Sequence, residues 1–213
     1  MKRIPTSKTA RLILASTSPR RRELLAGLEL PFEVLAPAVD ETAWPKECPA
    51  SFALRMAHEK AAAVAVRLDG GVDTVIIAAD TIVVLGETIL GKPADAAMAS
   101  DMLRALSGAR HTVITGLCVR VESPRGYAEW GDAVRTDVVF RALSEAEIHH
   151  YVAGGEPMDK AGAYAIQGGA AGMVDHIDGS YSNVVGLPME ALARILRLAG
   201  VMGSGNRQLD TGC

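Results

Sequence analysis

A cluster of hydroxyl and basic side chains stands near the start of the chain, where a short apolar run meets a predicted helix. The segment from Ser16 to Arg22 reads STSPRRR. Ser18 and Pro19 are typical of an N-cap and a first helical residue, so we expect the helix to begin here. Its free amides and two serine hydroxyls favour an anion, whereas first-turn arginines oppose the helix dipole unless an anion is bound. The segment predicts polyphosphate binding, with a capped helix and a solvated basic face as the alternative. A Walker A loop is excluded because its glycines and Lys-Ser/Thr pair are missing.

Two acidic residues form the second candidate site. Asp80, followed by Thr81, is expected between two apolar strands over 74–78 and 82–85, and Glu41 lies in a loop after another predicted strand. Magnesium bound to a phosphate substrate needs only one or two protein carboxylates. The two acids could therefore hold a divalent metal, or one could orient an attacking water as a base. A lone aspartate in such a place is more often structural.

Lysines beside the ends of predicted elements supply positive charge for the same chemistry. Lys92 lies in the tight segment Gly91–Pro93, Lys160 in a glycine-flanked loop, and Lys60 near the end of a predicted helix. Several cations that face one or two carboxylates are the electrostatic set that phosphoryl chemistry needs. For any single lysine, a surface role is the alternative.

Gln167 is the candidate for recognition of a base. It stands in a segment rich in glycine and small residues, Ala163–Gly169, and a second such segment follows at Gly179–Pro188. The glutamine amide offers both a donor and an acceptor, and glycines allow a close approach of the backbone to a ligand. From the residues alone, two ordinary loops fit equally well.

The elements that must position these residues alternate between strand and helix, which predicts an α/β fold with a mixed sheet. We expect a single domain over residues 11–200, with two lobes around a cleft, and flexible tails at 1–10 and 201–213. The expected strands cover 12–15, 32–35, 74–78, 82–85, 111–121 and 133–140, and the expected helices cover 20–28, 50–68, 94–106, a stretch capped by Ser144, and 188–200.

Composition excludes several classes of protein. The net charge of −3 and the aromatic content of 4% do not fit a protein that binds nucleic acid through bulk charge or stacking. No apolar run is long enough to span a membrane, and no apolar segment follows the basic N-terminus as in a signal peptide. The three cysteines are widely spaced and form no zinc or disulfide pattern. A cytoplasmic protein is the expectation.

Six stretches taken together resemble the Maf family of nucleoside triphosphate pyrophosphatases. They occur in the family's order and cover most of the chain, so the resemblance is much more specific than any single motif. The matching stretches are LASTSPRRRELL (14–25), VDET (39–42), AADTIV (78–83), GKP (91–93), LSG..H.V.TG (106–116), and GEPMDKAGAYAIQG through GSYSNVVGLP (155–188).

This resemblance implies an elongated mixed sheet flanked by helices, with a cleft between two lobes, related to inosine triphosphate pyrophosphatases. It also implies hydrolysis of a nucleoside triphosphate to the monophosphate and pyrophosphate with Mg²⁺ or Mn²⁺. Three positions associated with substrate choice hold Arg20, Thr81 and Gln167, which resemble the branch that acts on dTTP and UTP and suit modified pyrimidine nucleotides such as 5-methyl-UTP. The alternatives are a 7-methyl-GTP pyrophosphatase and a nucleotide-binding regulator of cell division.

Roles for the remaining site residues follow from the resemblance together with the chemistry above. Asp80 is expected to accept the proton of the attacking water and, with Glu41, to hold the metal. Lys60, Lys92 and Lys160 are expected to neutralise charge on the phosphates. Dimers are common among similar proteins, so a homodimer is the expected assembly, although no interface is evident in the sequence. The residues expected to hold the triphosphate are Ser16, Ser18, Arg20 and Arg21.

Overall fold

The computed structural model describes residues 10–202 of the chain. The tails predicted at 1–10 and 201–213 lie almost wholly outside these described residues. The strands are β1 Arg11–Ala15, β2 Glu33–Val34, β3 Thr74–Leu85, β4 Thr88–Leu90, β5 Arg110–Ser123, β6 Gly126–Phe140 and β7 Val174–Asp178. The helices are α1 Pro19–Ala26, α2 Pro49–Ala65, α3 Ala96–Leu106, α4 Glu145–Ala153, α5 Tyr181–Val185 and α6 Met189–Leu198, and short 3₁₀ turns cover Glu156–Asp159, Ala161–Ala163 and Gly169–Met173.

All seven strands belong to one mixed sheet, which confirms the predicted fold class. The order is β2-β1-β3-β5-β6-β7, and β4 pairs with the far end of β3. β1 is parallel to β2 and β3, whereas the β3, β5, β6 and β7 neighbours are antiparallel. Among the described helices, none is both long and apolar enough to cross a bilayer.

The middle of the sheet corrects one prediction and locates the site. The two expected strands over 74–78 and 82–85 are a single strand, β3, because residues 79–81 stay in register with β5. On its other edge, β3 pairs with β1 as far as Ala78 and with β4 only from Val83. Residues 79–82 therefore face no strand on that side within the described chain, and this open edge follows directly on the carboxyl end of β1.

Helix α2 covers one face of the sheet at very short distance. Its alanines Ala57 and Ala61 pack against alternate residues of β1 and β3. Gly116 of β5 makes this possible, since a Cβ there would come within 2.0 Å of the Ala53 carbonyl oxygen. The small residues on both sides thus bring α2 onto the sheet, which places its polar side chains close to β3.

The opposite face of the sheet is covered by α1 and α6 near β1 and by α3 and α4 near the far end of β3. Leu25 and Leu192 belong to the first apolar cluster, and Leu103 and Phe140 to the second. The predicted capping box at Ser144 is present at the start of α4. Strands β4 and β7 and helix α5 were not predicted.

Candidate active site

The open edge of β3 forms the floor of a cleft of about 760 Å³. Its walls are the turn between β1 and α1, the loop that carries Glu41, the Gly91–Lys92 turn after β4, and residues from the 3₁₀ segments and α5. Nearly all residues predicted to form the site line this cleft. The lining residues among them are Ser16, Ser18, Arg20, Arg21, Glu41, Lys60, Asp80, Thr81, Lys92 and Lys160.

The turn after β1 is built to present donors. Ser18 is the N-cap of α1, and its Oγ accepts a hydrogen bond from the Arg21 amide at 3.4 Å. The buried Ser16 Oγ accepts from the Ser18 amide at 3.1 Å. Within the described part of the chain, neither hydroxyl donates its hydrogen to another residue. Both O–H groups therefore stay available, beside the free amides of α1, for the oxygens of an anion.

Arg21 differs from its neighbours because its guanidinium is held by the protein itself. Nε donates to the Gly186 carbonyl at 2.7 Å, Nη2 to the Thr81 hydroxyl at 3.0 Å, and Nη1 to Ser16 Oγ at 3.4 Å. Burial lowers the pKa of Arg21, although arginine stays charged at neutral pH. Gly186 has φ near 123°, a conformation that favours glycine, and its carbonyl thereby fixes the guanidinium between α1 and β3.

The buried ammonium of Lys60 joins the two predicted acids. Its Nζ lies 2.5 Å from Asp80 Oδ1 and 2.6 Å from Glu41 Oε1. Lys60 lies inside α2, as it does in the helix predicted over 50–68, so its description as a residue beside the end of an element was wrong. The close approach of α2 to the sheet is what brings this lysine to β3.

The electrostatics of this group keep Glu41 ionised. Partial burial by itself raises the pKa of Glu41, but the cations near it outweigh that effect, and the pKa lies below its ordinary value. The cations responsible are Lys60, which also donates a hydrogen bond, then Lys92 and Arg21. Lys92 is exposed at the rim of the cleft, and Lys160 is paired with Asp159.

A hydroxyl network that the sequence did not reveal lies on the other side of β3. The Thr81 hydroxyl is 2.9 Å from that of Thr115 on β5, and Thr115 donates to the backbone carbonyl of Asn183 at 3.0 Å. Thr115 and Asn183 are fully buried. The signal available in the sequence was the threonine within residues 113–119 of β5, which are otherwise apolar residues and a glycine, and the pairing of Thr81 with Thr115 explains it.

Gln167 is the one predicted site residue that does not line the cleft. It is exposed on a turn, whereas its neighbours Tyr164, Ala165 and Ile166 all line the cleft. The recognition of a base by Gln167 therefore stays a prediction.

A second polar cluster lies on α2 outside the cleft. His58 Nδ1 is 3.4 Å from Cys118 Sγ and 3.2 Å from Glu129 Oε2, and these three are a possible metal-ligand group within the described residues. Their spacing in the sequence gave no sign of it. Burial raises the pKa of the Cys118 thiol to about 12, and Arg120 donates to Glu129 Oε1 at 2.8 Å. The groups therefore satisfy one another as a neutral thiol and an ion pair.

Comparisons with known proteins agree on one family. The family model described as Maf-like protein matches residues 11–199. A dTTP/UTP pyrophosphatase of Anaeromyxobacter dehalogenans (strain 2CP-C) is 52% identical over 190 residues, which cover 89% of this chain and 94% of that relative. A protein of the same description from Deinococcus radiodurans is 47% identical over 202 residues, or 95% of this chain and all 100% of the relative. A solved nucleoside-triphosphatase / dITP/XTP pyrophosphatase from Mycobacterium abscessus matches with a TM-score of 0.36 and 16% identity, over 90% of this chain and 98% of that one.

Proposed function

Because the chain belongs to the Maf-like protein family, we propose that it hydrolyses dTTP and UTP to the monophosphate and pyrophosphate. The observation that carries this proposal is the buried ammonium of Lys60, held between Asp80 and Glu41 in the cleft. The opposite wall is the donor-rich turn after β1. Acids that can handle a water and a metal thus face donors that can hold a triphosphate.

The triphosphate would bind at the N-terminus of α1. Its oxygens can only accept hydrogen bonds, and the Ser16 and Ser18 hydroxyls are free to donate. Arg20 lines the same wall and is half-buried, so it can reach a phosphate without full exposure. Lys92 and Lys160 would compensate the charge of the departing pyrophosphate from the far rim.

The two carboxylates also fit a divalent metal, Mg²⁺ or Mn²⁺. Glu41 and Asp80 offer carboxylate oxygens, which are hard ligands. One oxygen of each already lies beside the same positive charge, the Lys60 ammonium. A metal of this class typically takes one or two protein carboxylates and completes its shell with water and substrate phosphates. When bound, it would withdraw charge from the phosphate oxygens and make the phosphorus more electrophilic.

Asp80 would act as the base in the chemical step. Its Oδ1 is held by Lys60, which fixes the carboxylate and leaves Oδ2 to face a water. The water oxygen attacks the α-phosphorus while Oδ2 takes its proton, and the bond to the bridging oxygen breaks so that pyrophosphate leaves. Lys60 holds the Asp80 carboxylate in place before the step through this hydrogen bond.

Thr81 and Gln167 would recognise the pyrimidine. Thr81 lines the cleft beside Asp80, and the exposed Gln167 follows directly on Ile166, which also lines the cleft. The homodimer also stays a proposal. Sedimentation velocity of the full chain would test it, because the measured mass corresponds to either one or two subunits.

Pyrophosphate release from a panel of nucleotides tests the function. With Mg²⁺ or Mn²⁺ present, we expect kcat/KM for dTTP and UTP to exceed that for 7-methyl-GTP by more than about tenfold, since a purine needs a larger base site. A preference for 7-methyl-GTP would overturn the assignment of Arg20, Thr81 and Gln167. Binding of dTTP with no turnover of any nucleotide would favour the regulator instead.

A further inference from the structure

We propose that Thr115, a buried residue that does not line the cleft, sets the base preference by fixing which way the Thr81 hydroxyl points. This inference rests on the proposed function, because it assumes that Thr81 faces the base of a bound nucleotide. Thr115 and Thr81 are the two middle members of a chain of hydrogen bonds that runs from the Asn183 carbonyl to the Arg21 guanidinium.

This chain of hydrogen bonds begins at a carbonyl group, which can only accept. The Asn183 backbone carbonyl receives a hydrogen bond from Thr115 Oγ1 at 3.0 Å, which uses the only hydrogen of that hydroxyl. The contact of 2.9 Å between the Thr115 and Thr81 hydroxyls must then be donated by Thr81. Thr115 therefore dictates the direction of the bond to Thr81.

The chain of hydrogen bonds ends at a guanidinium, which can only donate. Arg21 Nη2 donates to Thr81 Oγ1 at 3.0 Å, and a guanidinium has no acceptor. The Thr81 hydroxyl thus donates its hydrogen to Thr115 and accepts from Arg21 with one lone pair. What it can still present to the cleft is one acceptor lone pair.

This polarity restricts what Thr81 can bind. Phosphate oxygens only accept, so the acceptor face of Thr81 is unsuited to them, in contrast to the free O–H groups of Ser16 and Ser18. Uracil and thymine carry a hydrogen on N3 and can donate it to Thr81. Cytosine has a bare N3 that accepts, which would place two acceptors face to face.

Burial makes the polarity costly to reverse. Thr115 and Asn183 have no exposed surface, so a rotation of the Thr115 hydroxyl toward Thr81 would leave the Asn183 carbonyl without a partner and without water. A loss of that kind corresponds to roughly a ten- to hundredfold preference for UTP over CTP. Thr115 is therefore a positioning residue that acts on specificity through Thr81.

The ratio of kcat/KM for UTP to that for CTP tests this in the full chain, because the two nucleotides share the sugar and the triphosphate. We expect a ratio of at least about tenfold in the wild type. Thr115→Val frees the Thr81 hydrogen and should lower the ratio about tenfold, whereas Thr115→Ser, which keeps the hydroxyl, should restore it to within about twofold of the wild type. A role in folding alone would lower both rates and leave the ratio unchanged, and that result would overturn the proposal.

Two further outcomes separate this inference from the function on which it rests. Equal turnover of UTP and CTP by the wild type would overturn the polarity even if Thr115→Val did not fold, and would leave the pyrophosphatase activity standing. Calorimetric binding of UMP and CMP reads the polarity without chemistry. Tighter binding of UMP by a wild type that hydrolyses neither triphosphate would support the polarity and remove the function.

Discussion

Asp80 and Thr81 are neighbours in β3, yet they serve opposite faces of the sheet. Successive residues of a strand point to opposite sides, so Asp80 meets Lys60 of α2 and Thr81 meets Thr115 and the guanidinium of Arg21 from α1. Both line the cleft because the edge of β3 is open at this point. One strand thus supplies two different kinds of polar group to one cleft.

The two faces differ in charge and in burial. On the α2 face the polar groups are ions, and Glu41 keeps a side-chain exposure of 51%. On the other face the hydroxyls and the amide are neutral, Arg21 is the one charged group among the described residues that bonds to them, and Thr115 and Asn183 are completely buried. A hydroxyl such as that of Thr115 can be buried at little cost because its hydrogen bonds are made inside the protein, whereas burial of an ion carries a much larger desolvation penalty. The comparison predicts that the charged face controls rate and the neutral face controls orientation.

The largest expected effect belongs to the charged face. Asp80→Asn removes the group that accepts a proton, and we expect kcat/KM for dTTP to fall about 10²- to 10⁴-fold, the range of general base catalysis. Nucleotide binding should persist, because the donors around α1 are unchanged. Steady-state pyrophosphate release and calorimetric binding of dTMP measure the two quantities.

Asp40→Asn is the matched control for that experiment. Asp40 lies beside Glu41 in the sequence, but it bonds to Thr42 and does not line the cleft. We expect its activity to stay within about threefold of the wild type. Equal losses in the two variants would mean that the general negative charge of the region matters and that Asp80 has no special role.

Lys60→Met should cost the next largest amount, measured as stability. It leaves Asp80 and Glu41 without the ammonium that lies between them, and removal of one partner from a buried ion pair costs about 3 kcal/mol of unfolding free energy at pH 7. Like charges raise the pKa of a carboxyl group, so the folded variant should take up a proton on acidification and regain part of this loss as pH falls. Urea unfolding at pH 7 and pH 5 checks this, and Lys92→Met at the exposed rim should lose less than about 1 kcal/mol. A loss in Lys60→Met that does not shrink at pH 5 would contradict the assignment.

His111 tests whether the neutral face stays neutral. It lies on β5 on the same side as Thr115, bonds to the Tyr164 hydroxyl at 2.8 Å, and burial lowers its pKa to about 4. Below about pH 6.5 the unfolded chain takes a proton at this residue and the folded chain does not, so stability falls as pH falls from 6.5 to 4. The expected loss is about 2 kcal/mol at pH 5.

His111→Gln should abolish that loss whatever its own stability at pH 7. Urea unfolding of the variant at pH 7 and pH 5 is compared with the wild type, and His149→Gln, exposed on α4, serves as the control that keeps the wild-type dependence. An unchanged difference between the two pH values in His111→Gln would show that other groups cause the acid sensitivity.

The sequence revealed the charged face much better than the neutral one. Asp80, Glu41 and the STSPRRR turn stand out because charged residues are seldom buried unless they are paired, so charge next to predicted buried strands marks a candidate site. Lys60 was found as a residue, but its contact with Asp80 was not, because that contact depends on how α2 packs against the sheet. The predicted bounds were close for β5 and α2, whereas β6 begins at Gly126, well before the predicted start at residue 133.

Thr115 was missed for a physical reason. A threonine in a strand is an ordinary β-branched residue, and only its distant partners Thr81 and Asn183 make its hydroxyl directional. The break in strand pairing along β3 was missed for the same reason, since it depends on where β1 ends relative to β4. Features that arise from pairing between distant segments leave no local trace.

The smallest expected effect limits the comparison to the cleft. Glu129 belongs to the α2 face as Asp80 does, and it bonds to His58 and Arg120, but it does not line the cleft. Glu129→Gln weakens a partly exposed ion pair, which costs about 0.2–1 kcal/mol. Activity toward dTTP should stay within about twofold of the wild type, as measured beside the unfolding free energy. A drop in kcat/KM above about fivefold with unchanged stability would show that charge on this face acts on the reaction from outside the cleft. The difference between the two faces of the sheet would then extend beyond the residues that line the cleft.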